Sequence, residues 1–283
     1  MRKFLFFSIA ATGLLWGPAA GAGKDLSKAD GLFDKGLYQE ALNEYDTALK
    51  DAATETRLNA LYRAVESQAL LFRYADAAKS AFEAKLPPDP RWKSRFLILR
   101  AEIAREFLKQ YGWASPKDVE EGGKDLSRRT PEEWRGEARS AYRQLWDLRR
   151  QLIKIPLREE GYFVDLRDAE VETVPTLWDF VALRWGDFLL EEEESSGRTK
   201  PAVISFLSQN DAVELSFDDA PATQAAALFE DAATLGGDGR STAREVWKIK
   251  RLKIPFDHPG LVTPAPDEEA FANPTSPVAV PSR

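Results

Sequence analysis

The sequence predicts an all-α protein, an α-solenoid of antiparallel helix pairs that ends in a proline-rich tail. Three observations predict it. From residue 24 to about 111 the chain is dense in Ala, Leu, Glu, Lys and Arg and holds no proline before Pro87. Apolar residues there recur at i, i+3, i+4 and i+7, the period of a helix with one buried face. A pattern of small and aromatic residues then returns after 36 residues: Tyr74, Ala77 and Ala84 stand where Tyr38, Ala41 and Ala48 stood. Units that recur in tandem stack because none can bury its apolar face alone.

The stretch "KGLYQEALNEYDTALKDA" over 35–52 reads as an amphipathic helix with a glycine in front. Ala41, Leu42, Tyr45, Ala48 and Leu49 share one helix face, and Gly36 sits in front, where a tight turn asks for positive φ. A second helix is expected over Glu55 to Leu71, and the returning segment begins with Phe72 in place of the glycine. Asp89-Pro90 supplies a cap and a proline at N1 for a long helix to about Tyr111. A charged, glycine-containing stretch over 112–130 leads to Thr130-Pro131-Glu132-Glu133, a capping box. The helix it opens should stop before Pro156. Residues 162 to 166 are expected to be extended. Thr176-x-x-Asp179 caps a further helix, Glu191 to Glu194 are expected to be solvated at its end, and another helix should cover Pro221 to Leu235. Thr242-x-x-Glu245 is expected to cap a last helix to about Leu252, and "LIKIPL" and "RLKIPF" suggest that two helices close alike at Ile-Pro. Seven of the 17 prolines lie in the last 29 residues, the composition of an extended tail or linker.

The chain therefore divides by sequence into a leader over 1–22, helical repeats over 23–111, a further helical region over 112–254 and the tail over 255–283. The leader reads as a secretory signal: Arg2 and Lys3, an apolar run from Phe4 to Trp16, then Ala20-Gly21-Ala22. Thirteen helical residues span about 20 Å, short of a hydrocarbon core of about 30 Å. The expected location is periplasmic or secreted, with no transmembrane segment once the leader is cleaved; an uncleaved anchor is the other possibility.

Composition removes several functions. Without cysteine there is no disulfide, thiolate nucleophile or Cys/His zinc site. The single histidine, His258, lies in the tail, so no Ser/His/Asp arrangement can be assembled. A net charge of −7 gives no overall basic footprint for nucleic acid. The loop Gly236-Gly237-Asp238-Gly239-Arg240-Ser241 lacks the lysine and preceding strand of a phosphate loop and reads as a helix end joined to a helix start. No metal and no cofactor is expected. Arg135, Arg139 and Arg143 follow i, i+4, i+8 on one helix. They fit an acidic partner or a headgroup, or a salt-bridged face.

Gly36-x-Tyr38-x-x-Ala41-x-x-x-Tyr45-x-x-Ala48 resembles the second helix of the tetratricopeptide repeat, and Phe72–Leu86 matches it in part. That resemblance implies a concave face that binds a protein or peptide, and its register places Asn59, Tyr62 and Glu66 there. Pro175-Thr176-Leu177-Trp178-Asp179-Phe180 resembles a helix opening in the N-terminal helical region of bacterial alpha-2-macroglobulin-like proteins. It implies a module of an exported protease-inhibitor or envelope-defence protein. The expected function is a non-catalytic exported scaffold for protein–protein interaction. The front module of such an assembly is the alternative, and an enzyme of unknown type is a third.

Overall fold

The computed structural model describes residues 25–51, 54–111, 129–164, 166, 171–195, 215–236 and 240–257. The leader, His258 and the rest of the tail lie outside the described residues. Among those described, all regular structure is helical: α1 (Ser27–Asp34), α2 (Tyr38–Asp51), α3 (Thr54–Leu70), α4 (Tyr74–Glu83), α5 (Pro90–Tyr111), α6 (Pro131–Leu152), α7 (Leu177–Ser195), α8 (Pro221–Thr234) and α9 (Ser241–Asp257). The chain divides into two compact units after Leu148, inside α6.

In the first unit, α1 to α5 each pack on their neighbours in sequence, and α3 also meets α5. One core cluster joins α1, α2 and α3 and is built from Ala29, Ala41, Leu42, Tyr45, Ala48, Ala60 and Ala64. Alanine at the crossing points lets helix backbones approach closely. Tyr45 fills the remaining space and donates its hydroxyl to Asp30 at 2.6 Å, which satisfies the polar tip of a buried ring.

The 36-residue spacing has a backbone counterpart. After α1, Gly36 N–H donates to Phe33 O (2.9 Å) and Leu37 N–H to Leu32 O (3.0 Å). After α3, Phe72 N–H donates to Ala69 O (2.9 Å) and Arg73 N–H to Gln68 O (2.9 Å). Both are Schellman closures, with the left-handed residue just beyond the helix. Gly36 has φ 77° and Phe72 has φ 60°. Only the first is a residue suited to that conformation, so Phe72 carries strain that a glycine would not. The two turns are also tied together, because Arg73 donates to Gln39 at 2.7 Å.

The end of α4 is closed from outside. Arg100 of α5 donates to the carbonyls of Ala81 (2.9 Å), Phe82 (3.2 Å) and Ala84 (2.6 Å). A cation is favoured there, since the last carbonyls of a helix carry its negative end. The helix α5 opens as expected, with Trp92 N–H donating to Asp89 Oδ1 at 2.8 Å. The capping box of α6 forms too: Thr130 N–H reaches Glu133 Oε2 (2.6 Å) and Glu133 N–H reaches Thr130 Oγ1 (3.1 Å). Trp134 then stacks on Phe107 at 4.4 Å and meets Phe82 edge-on at 5.7 Å.

In the second unit, α7 packs on α8 and α8 on α9. Trp178, Trp185, Phe188, Phe229 and Trp247 fill its core. Gly186 of α7 leaves room for the Phe229 ring of α8: a Cβ there would lie 2.3 Å from it. An isolated antiparallel bridge pairs Pro156 with Thr176 and brings Ile155–Leu157 against the start of α7.

Four expectations are corrected in this unit. The stretch from Tyr162 to Val164 is turn rather than extended, because Phe163 and Val164 N–H both return to Glu160 O. Glu192 and Glu193 are buried, not solvated. Helix α8 begins after Ala220, which has no side-chain oxygen, and Glu193 Oε2 accepts from Ala222 N–H at 3.3 Å instead. A carboxylate 29 residues away thus takes the place of a local cap. Helix α9 starts at Ser241, while Glu245 is exposed and pairs with Lys248 at 3.0 Å. It also runs through Pro255, whereas α6 stops at Leu152, so the two Ile-Pro segments do not close their helices alike. A proline this near a helix end removes one donor without breaking a long ladder.

Candidate partner-binding face

The helix α3 carries Asn59, Tyr62, Arg63 and Glu66 at i, i+3, i+4 and i+7, one face of the helix. α1 and α5 complete that face. The Arg63 guanidinium lies 4.5 Å over the Phe33 ring of α1 and donates to Glu66 Oε2 at 2.9 Å. Tyr62 meets Phe96 of α5 edge-on, with centroids 6.1 Å apart. On α5 itself, Arg95 covers the Trp92 ring at 4.5 Å and Arg105 pairs with Glu102 at 3.4 Å.

These groups share one electrostatic environment. Burial pushes the Tyr62 phenol well above its usual range; the Glu66 and Glu102 carboxylates add to this, and Arg63 and Arg95 oppose it. Burial likewise raises the Glu66 carboxyl to about 7, even with Arg63 beside it. A carboxyl raised to about 7 beside Arg63 changes its protonation close to neutral pH.

The residues singled out from the sequence are placed as follows. Tyr62 is 3% exposed, so its ring shapes the face from beneath. Asn59 is half-buried on the same helix face, and the Glu66 side chain keeps 17% of its surface. These three are brought together. Arg135, Arg139 and Arg143 stand on α6. Glu132 binds Arg135 (3.4 Å) and Arg139 (2.7 Å), and Arg143 is exposed. Sequence reasoning missed Arg63, Arg95, Glu102 and Arg105. The signal available was the i, i+3 spacing of Arg63–Glu66 and Glu102–Arg105, which lets opposite charges meet on one helix side.

In the second unit two charged residues, Glu160 and Asp179, are fully buried, and Asp179 is held by donors from three places in the chain. Its Oδ2 accepts from Thr176 N–H (3.1 Å) and from the Thr176 hydroxyl (2.6 Å), and Thr176 Oγ1 in turn accepts from Asp179 N–H (3.2 Å). Its Oδ1 accepts from Trp247 Nε1 (2.8 Å) and from Arg240. Arg240 also donates to the carbonyls of Leu235 and Ala232. Burial raises the Asp179 carboxyl, with Arg240 and these donors opposing it. Every direction of approach to the carboxylate is taken by the chain's own donors. It ties α7 to α9 through Trp247 and, through Arg240, to the end of α8.

Among the described residues, no group of three or more His, Cys, Asp and Glu is arranged to hold a metal, and no helix is long and apolar enough to cross a membrane. Comparison with protein-family models, curated proteins and solved structures returned no match.

Proposed function

We propose that the chain is a non-catalytic exported scaffold and that the face of α1, α3 and α5 binds an extended segment of a protein partner. The observation that carries this reading is the composition of that face. Paired charges and aromatic rings alternate along it: Phe33–Arg63–Glu66, then Tyr62–Phe96, then Arg95–Trp92. Phe33, Asn59, Arg63, Glu66 and Trp92 reach the surface of this face, with Tyr62, Phe96 and Arg95 buried beneath them; exposed rings and guanidinium groups are the types that dominate binding energy at protein interfaces. A helical-repeat array presents such a face as an extended surface rather than a closed cavity.

The test is capture from the exported fraction of the source cells. Wild-type chain should retain a specific protein that Asn59→Arg, which adds bulk on the face, releases. Lys79→Glu, on the exposed side of α4, should keep it. Equal retention by all three chains would remove the proposed face from the interaction.

A further inference from the structure

Helix α9 carries a surface of a different kind. Its inner side, Ala243, Trp247 and Ile254, is buried in the second unit, and Arg251 ties it to Glu230 at 2.6 Å. Its outer stripe is Glu245, Lys248, Ile249, Leu252 and Lys253, at i, i+3, i+4, i+7 and i+8, and all five are exposed. Ile249 and Leu252 are each 50% exposed, two of the five large hydrophobic side chains that stand out in the described residues. The helix has five basic residues against two acidic ones, within a chain whose net charge is −7. Even with Lys248 paired to Glu245 and Arg251 to Glu230, the helix keeps an excess of positive charge beside a pair of aliphatic side chains.

We propose that the outer stripe of α9 docks on an anionic phospholipid surface. Two features fit that occupant together. The lysines lie beside the aliphatic pair, so their stems can follow it down while the amines stay at headgroup level. Ile249 and Leu252 sit at the centre of the stripe, where a helix lying in the interface plane buries its apolar side. An acidic polypeptide would draw on the amines and leave the aliphatic pair without a role. The attraction depends on charge complementarity and so falls with salt. This surface is separate from the face on α1, α3 and α5, and its test does not depend on that reading.

The experiment is co-sedimentation of residues 23–283 with vesicles; the first 22 residues are omitted because their apolar run would bind lipid by itself. Vesicles of phosphatidylcholine mixed with phosphatidylglycerol should retain the chain at low salt, and vesicles of phosphatidylcholine alone should not. Lys248→Glu with Lys253→Glu, the two lysines of the stripe, should weaken retention by about tenfold or more. Ile249→Ser with Leu252→Ser should also weaken it, with unchanged helical circular dichroism and melting. The proposal is overturned by no retention on the mixed vesicles, or by retention that both double variants share with wild type. Salt-sensitive binding to soluble polyglutamate that survives Ile249→Ser with Leu252→Ser would also overturn it, in favour of an acidic polypeptide partner.

Discussion

Replacing Glu66 with glutamine should flatten part of the protein's pH dependence. The carboxyl of Glu66 is raised from 4.5 to about 7 by burial, with Arg63 opposing. The folded chain therefore holds a proton on Glu66 more tightly than the unfolded chain does. The stability this gives is fully present below about pH 4.5 and is lost as the pH rises through about 7. A shift from 4.5 to about 7 corresponds to about 3 kcal/mol, and to about 2 kcal/mol once the exposed part of the side chain is allowed for. Glutamine keeps the shape and keeps an oxygen for the Arg63 guanidinium, now 2.9 Å from Glu66, but it cannot ionise. Urea unfolding of both chains between about pH 5 and about pH 8 isolates this group, because all other titrations cancel in the difference. Stability of the variant relative to wild type should rise by about 2 kcal/mol across that range. Parallel curves for the two chains would refute the reasoning: Glu66 would then ionise as it does in the unfolded chain.

Three further outcomes follow from the packing. Phe72→Gly should raise stability by about 0.5–1 kcal/mol, because left-handed backbone suits glycine and the lost ring is 76% exposed; a lower denaturant midpoint would contradict this. Gly186→Ala should cost about 1–3 kcal/mol, since the new Cβ meets the Phe229 ring, itself stacked on Trp247 and unable to swing into solvent; a melting curve that matches wild type would show that α7 and α8 can separate freely. Asp179→Ala should cost about 3–5 kcal/mol, because it strips α7 of its capping box and leaves the Arg240 charge without its carboxylate. Its near-ultraviolet spectrum should also change at Trp247, whose indole N–H loses its acceptor.

What could be read from the sequence depended on how far away the partner was. Helix starts whose caps lie three residues apart, Asp89 with Trp92, Thr130 with Glu133 and Thr176 with Asp179, were legible because the whole device is local. Caps supplied from a distance were not. Glu193 closes the start of α8 and Arg100 the end of α4, and no sequence spacing announces either. The same limit explains Glu191–Glu194: consecutive residues point around a helix, so Glu192 and Glu193 turn inward although their neighbours face water. At Phe72 the repeat spacing located the turn correctly, while residue type alone would have argued against the left-handed backbone it adopts. For the candidate face, repeat register pointed to Asn59, Tyr62 and Glu66. Arg63 is three residues from Glu66 on the same helix, while Arg95, Glu102 and Arg105 join them because α5 packs on α3, which is a tertiary fact. The motif Pro175–Phe180, which suggested an alpha-2-macroglobulin-like module, has a structural account of its own in the capping box and the buried Asp179.

The most direct test of the account places a photo-crosslinking residue at Asn59 on α3 and, separately, at Lys79 on α4, with irradiation in the source cells. The account predicts a discrete protein adduct from position 59, mapped to an extended segment of the partner, and none of the same identity from position 79. Identical adducts from both positions, or none from position 59 while the chain is still recovered in complexes, would contradict it.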